Sequence, residues 1–80
     1  MSEAAGIDIK MDEKTKELIA VGAAVAGNCI PCLEWHFKKC IELKIPKDEI
    51  KETIELSKMI KDVPIKKISE LADKYLNEKE

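Results

Sequence analysis

Residues 27–36 read Gly27-Asn28-Cys29-Ile30-Pro31-Cys32-Leu33-Glu34-Trp35-His36. Gly suits the position just past a helix C-terminus, and Asn is a strong N-cap, so Gly27-Asn28 predicts the end of one helix and the start of another. Cys29 then becomes the first residue of the new helix. Pro31 falls in its first turn, where a missing N–H breaks no intrahelical bond. The helix is expected to run to about Leu43. The stretch therefore sets a helix–break–helix boundary and carries a Cys-x-x-Cys pair at a helix N-terminus.

Upstream, Thr15 to Ala26 predicts a helix. Leu18, Ile19, Val21, Ala23, Ala24 and Val25 cover nearly its whole circumference beyond Leu18. A helix apolar all round is expected to be buried on every side, which asks for more cover than 80 residues supply and points to oligomerisation. Gly22 costs about 1 kcal/mol of helix propensity relative to Ala. It marks the close approach of another helix. Residues 1–14 are polar, with Ile7, Ile9 and Met11 alternating, and are expected to form a flexible N-terminal arm.

Downstream, Lys44-Ile45-Pro46 predicts a break. Pro46, Asp48 and Glu49 suit the opening of a third helix. That helix is expected to reach about Lys61, with Ile50, Ile54, Ser57 and Ile60 near one face and Leu56 and Met59 beside it. Val63-Pro64 is expected to separate it from a fourth helix, in which Ile65, Ile68, Leu71, Ala72, Tyr75 and Leu76 follow helical spacing. The tail from Asn77 to Glu80 is expected to fray. The expected fold is all-α: a single small orthogonal helical unit of about four helices over residues 15–77.

Composition narrows the chemistry. The chain has 80 residues, 45% hydrophobic and 38% charged, which suits a globular domain. A monomer of this size buries only ~60% of the surface its unfolded chain exposes, so a cofactor, metal, disulfide or partner subunit commonly adds the missing stability. The 14 basic residues are all Lys, and mix with 16 acidic ones to a net charge of −2. This balance carries no footprint for nucleic acid. The absence of Arg removes the planar fork used for bidentate phosphate or carboxylate recognition. No apolar run approaches the ~20 residues needed to cross a bilayer, and no secretory leader is visible. A cytoplasmic protein with no membrane association is expected. In that compartment cysteines are more often redox-active or metal-binding than a structural framework.

At about 100° per residue, Cys32, His36 and Cys40 lie near 300°, 340° and 20° relative to Cys29, all on one helix face. Cys29 and Cys32 can form a disulfide, and His36 follows Cys32 by one turn. The free N–H groups and dipole of a helix N-terminus favour a thiolate over a thiol. A thiolate attacks disulfides and peroxides, a second cysteine resolves the product, and a nearby His can move the proton. Glu34 and Glu17 are candidate carboxylates for the other imidazole nitrogen.

A metal site is the competing reading, since Cys29, Cys32, His36 and Cys40 form a nominal Cys₃His zinc set. On a continuous helix Cys29 and Cys40 stand ~16 Å apart along the axis, too far to share one ion. A site made of Cys29, Cys32, His36 and a ligand from elsewhere stays open. Cys40 reads as a small buried hydrophobe continuing the apolar seam. Trp35 and Phe37 read as packing residues or interface anchors. Taken alone, Glu17 reads as part of a solvated face.

The set Glu17, Cys29, Cys32 and His36 resembles the alkylhydroperoxidase D-like branch of the carboxymuconolactone decarboxylase family, which carries a Glu, then Cys-x-x-Cys, then three residues and a His. Glu17-Leu18-Ile19-Ala20-Val21, the Ala-rich run before Gly27-Asn28-Cys29, and Pro46-Lys47-Asp48-Glu49-Ile50 extend the likeness over roughly residues 12 to 64. The resemblance implies an oligomeric alkylhydroperoxidase D-like fold, a homo-trimer or homo-hexamer. It implies a thiol-dependent antioxidant enzyme, a peroxidase or disulfide reductase, acting on a hydroperoxide or disulfide and recharged by a thiol or dithiol reductant protein. It also implies a Glu17–His36 proton relay, Cys32 as the attacking thiol, Cys29 as its disulfide partner, and no cofactor. The best-known peroxidases of the branch have a second His between the cysteines, where this chain has Pro31; the departure bears directly on peroxidase activity. The decarboxylase branch lacks the cysteine pair, so lactone decarboxylation is not expected. A non-enzymatic zinc-binding or redox-sensing module is the alternative.

Overall fold

A computed structural model describes residues 9–78. Three helices are present among the described residues: α1 (Glu13–Ala26), α2 (Ile30–Glu42) and α3 (Lys47–Asn77). The all-α expectation holds, with three helices rather than four. Most of the expected N-terminal arm lies outside the described residues; Glu13 and Lys14, assigned to it, are helical.

Helix α1 starts two residues earlier than the apolar pattern suggested because Asp12 caps it. The Asp12 carboxylate accepts from the Thr15 amide at 3.2 Å and the Thr15 hydroxyl at 2.7 Å. Those bonds favour the ionised form and lower its pKa below the ordinary value. Helix α1 ends in a Schellman motif, in which the Asn28 amide donates to Val25 O and the Cys29 amide to Ala24 O. Asn28 occupies the left-handed region with φ 57°. The expected roles therefore shift by one position. Gly27 is the C-cap, Asn28 takes the left-handed position that Asn tolerates, and Cys29, not Asn28, is the N-cap of α2.

Helix α2 ends the same way. Lys44 is left-handed, its amide donates to Ile41 O, and the Ile45 amide donates to Cys40 O. This turn delivers Ile45 into the core beside Cys40. Val21, Cys40, Ile45 and Ile50 form that core, with Leu18, Leu33, Phe37 and Ile54 packed against it. It is a small core, at the junction of α1, α2 and the first half of α3.

Gly22 lies where α1 and α3 meet. A Cβ there would stand 2.8 Å from Ser57 Oγ and 3.4 Å from Thr53 Cγ2. This is the close approach expected from the sequence. Both neighbours are held, since Thr53 Oγ1 donates to Glu49 O and Ser57 Oγ to Thr53 O.

The expected break at Val63-Pro64 is absent, and α3 runs through Pro64 for 31 residues, or ~46 Å. Proline's fixed φ is itself helical, and its direct loss is one backbone bond. The residue four back, Ile60, is exposed. From Asp62 onward every described residue is exposed, including the apolar series Ile65, Ile68, Leu71, Tyr75 and Leu76. The molecule is correspondingly elongated, 58 × 31 × 20 Å. Within one chain α1 buries only the stripe of Glu17, Val21 and Ala24, while Ile19 is exposed. The expectation that α1 is covered all round is thus unmet by the single chain.

Candidate active site

Cys29 and Cys32 are joined by a disulfide, their Cα atoms 5.2 Å apart. Cys29 is the N-cap of α2, and Cys32 is its third helical residue, with Pro31 between them in the first turn. These are the two positions that a capping box uses to close a helix start. Here no side-chain capping bond forms at Cys29, and the covalent bridge spans the same positions. Both cysteines are half-buried. A groove of about 230 Å³ opens against Cys29, lined by Ala24, Val25, Asn28, Ile30 and Leu33.

His36 follows Cys32 by one turn of α2. Its Nδ1 lies 2.6 Å from Oε1 of Glu17, which comes from α1. Glu17 is buried at 3% exposure, the one buried charged residue among those described. A carboxylate so placed must be paired, and the imidazole supplies the close partner. Lys16 Nζ stands farther off, 3.9 Å from Oε2. With Nδ1 bound to Glu17, the ring orientation is set and Nε2 is the nitrogen left for other partners.

Cys40 is two turns beyond Cys32 on the same stripe, fully buried and free. Burial raises its thiol pKa above the ordinary value, and the nearby Glu17 carboxylate adds to the rise. Cys32, His36 and Cys40 thus step from a half-exposed helix end into the core. Among the described residues no three His, Cys, Asp or Glu side chains gather as a metal-ligating group. Trp35 is exposed at 46%, with the Lys39 ammonium 6.0 Å from its ring centroid, whereas Phe37 packs on the core.

The structure pairs Glu17 with His36, joins Cys29 to Cys32, and leaves Glu34 exposed at the surface. Sequence reasoning on residues alone placed Glu17 in a solvated face, which the structure corrects. A signal was present: Glu17, Val21 and Ala24 fall at i, i+4 and i+7, so Glu17 lies on the buried stripe. Lys61 was missed as well. Its Nζ donates to Val25 O at 3.2 Å and to Asn28 Oδ1, across 33 residues of chain, on the turn that leads into Cys29.

No helix among the described residues is long and apolar enough to cross a membrane. The family model described as the carboxymuconolactone decarboxylase family matches residues 1–67. No curated protein and no solved structure matches the chain.

Proposed function

Because this chain belongs to the carboxymuconolactone decarboxylase family, we propose that it is an enzyme of the alkylhydroperoxidase D-like branch, a thiol-dependent oxidoreductase that cycles between a Cys29/Cys32 dithiol and the Cys29–Cys32 disulfide. The observation that carries the reading is the buried Glu17 carboxylate bonded to His36, one turn from that disulfide.

In the reduced protein the Cys32 thiolate attacks the oxidant. With a disulfide R–S–S–R, a Cys32–S–S–R bond forms and RS⁻ leaves. With a hydroperoxide ROOH, Cys32 becomes a sulfenic acid and ROH is released after protonation. Cys29 then attacks the modified Cys32 sulfur, closing the disulfide and expelling the second RS⁻ or water. His36, oriented by Glu17, takes the proton from the thiol and returns it to the leaving group. A thiol or dithiol reductant protein restores the dithiol by two exchange steps.

The working form is a homo-oligomer, a trimer or hexamer. Ile19 on α1 and the apolar series along the far half of α3 are uncovered in one chain, and the five buried hydrophobics among the described residues make a small core for an 80-residue domain.

The test is turnover of the purified protein with a model disulfide and an organic hydroperoxide, each supplied with a dithiol reductant. Cys29→Ser and Cys32→Ser are expected to abolish turnover of both, and His36→Ala to lower it by about 10²-fold. Unchanged turnover in the Cys→Ser variants, or stoichiometric zinc retained at neutral pH, overturns the reading. Light scattering reporting a stable monomer overturns the oligomer.

A further inference from the structure

We infer that Lys61 is a positioning residue for the redox pair: it clamps the turn that carries Cys29, and its charge favours the reduced, thiolate form. The inference rests on the dithiol reading above and adds a residue that the Glu–Cys–Cys–His set does not contain.

Three observations converge on Lys61. Its ammonium donates to Val25 O at 3.2 Å and to Asn28 Oδ1. Val25 O is also the acceptor of the Asn28 amide in the Schellman turn, so one carbonyl is shared by the turn and its clamp. Helix α1 has no basic residue in its own last turn. A cation at a helix C-terminus is stabilising; here it arrives from α3.

The turn so held is short of slack. Asn28 is left-handed, and the next residue, Cys29, has its amide committed to Ala24 O at 2.9 Å while it caps α2. Fixing the Asn28 side chain therefore fixes the backbone from which Cys29 projects. Lys61 is half-buried, so its charge is less screened than that of a surface lysine. Reduction of the disulfide creates a thiol that can ionise beside this turn. A cation held on Asn28, the residue before Cys29 in the chain, favours the anion there, hence the reduced state.

The experiment compares Lys61→Met and Lys61→Arg with the wild type, reading the rate of thiol alkylation against pH and the disulfide–dithiol equilibrium in a glutathione buffer. Lys61→Met is expected to shift the alkylation profile toward higher pH. It should lower the thiolate population near neutrality by about two- to fivefold, the usual scale of a single charge at a helix end. The equilibrium moves the same way, about 10–20 mV toward a more negative potential. Lys61→Arg is expected to restore both readouts. Asn28→Gly keeps the left-handed turn and deletes the side-chain acceptor, and is expected to give a shift in the same direction. Circular dichroism at fixed concentration confirms that each variant is folded; if Lys61→Met does not fold, Asn28→Gly carries the test. Profiles and potentials that overlay the wild type overturn the inference, as does Lys61→Arg behaving like Lys61→Met. A wild-type dithiol that reacts as ordinary cysteines do, with a pKa near ~8.5, sinks the redox reading itself and is visible before any Lys61 variant is made.

Discussion

Nδ1 of His36 lies 2.6 Å from Oε1 of Glu17, joining two helices through a carboxylate that is 3% exposed. His36→Ala strands that carboxylate, with Lys16 at 3.9 Å as a distant partner. The expected cost is about 1–3 kcal/mol. Adding Glu17→Gln removes the stranded charge, so the double variant is expected to be less destabilised than the sum of the two singles. Urea unfolding of the four proteins at one concentration measures this. Additivity within about 0.5 kcal/mol would count against a coupled pair.

Cys40 is expected to be silent in the folded, reduced protein. Burial keeps its thiol from both reagent and ionisation. Alkylation should modify Cys29 and Cys32 quickly and Cys40 only after denaturation, as counted by mass spectrometry. Its raised pKa also has a stability consequence. Above the ordinary value of 9.0 the unfolded chain loses the thiol proton before the folded one does. The Cys40 contribution is therefore complete below pH 9.0 and is lost as pH rises through the folded value. The stability difference between wild type and Cys40→Ala should narrow over that alkaline range.

Gly22→Ala sets two effects against each other. Helix propensity gains about 1 kcal/mol, but the new methyl group meets Ser57 Oγ at 2.8 Å. Moving that hydroxyl breaks its bond to Thr53 O. A net loss of about 1–2 kcal/mol is expected, in the usual range for overpacking. Ser57→Ala in the same chain should recover most of it. A thermal melt in which Gly22→Ala alone is stabilising would show that α3 is not held this close.

Asp12 gives α1 an acid-sensitive start. Its pKa is lowered in the folded state, by the Thr15 side-chain bond first and the Thr15 backbone bond second. Its contribution is present above the unfolded value of 3.8 and is lost as pH falls through the lower folded value. Asp12→Asn keeps the capping acceptor without the charge. Its stability should be flatter than that of the wild type as pH falls from about 5 through the acid range. Identical acid profiles by circular dichroism would refute the cap.

Much of this was legible in the residues. The apolar spacing of α1 and α2 and the Lys44-Ile45-Pro46 break located those helices to within two residues at each end, and Gly22 announced the close approach of another helix without saying which. The shift of one position at Asn28 was not legible, because Asn serves equally as an N-cap and as a left-handed C′ residue. Pro64 misled because proline commonly ends a helix, yet its fixed φ is itself helical and α3 continues through it. Residue reasoning named Glu17 and Glu34 alike as carboxylates for His36, and resemblance singled out Glu17, although the stripe it shares with Val21 and Ala24 would have served. Lys61 left no trace, since a bond across 33 residues has no periodicity to read.

The placement of the disulfide across the first turn of α2 makes the bridge a fastener of secondary structure. When the sulfurs part, that turn loses the covalent link between its cap and its third residue. By thermodynamic reciprocity, whatever order the bridge lends the turn, order in the turn returns to the bridge. Substitutions at Ile30 or Pro31 that stiffen or loosen the first turn should therefore retune the dithiol equilibrium without touching either sulfur. Under the proposed dithiol cycle the helix start is a dial, with electron affinity set partly by how tightly the first turn winds.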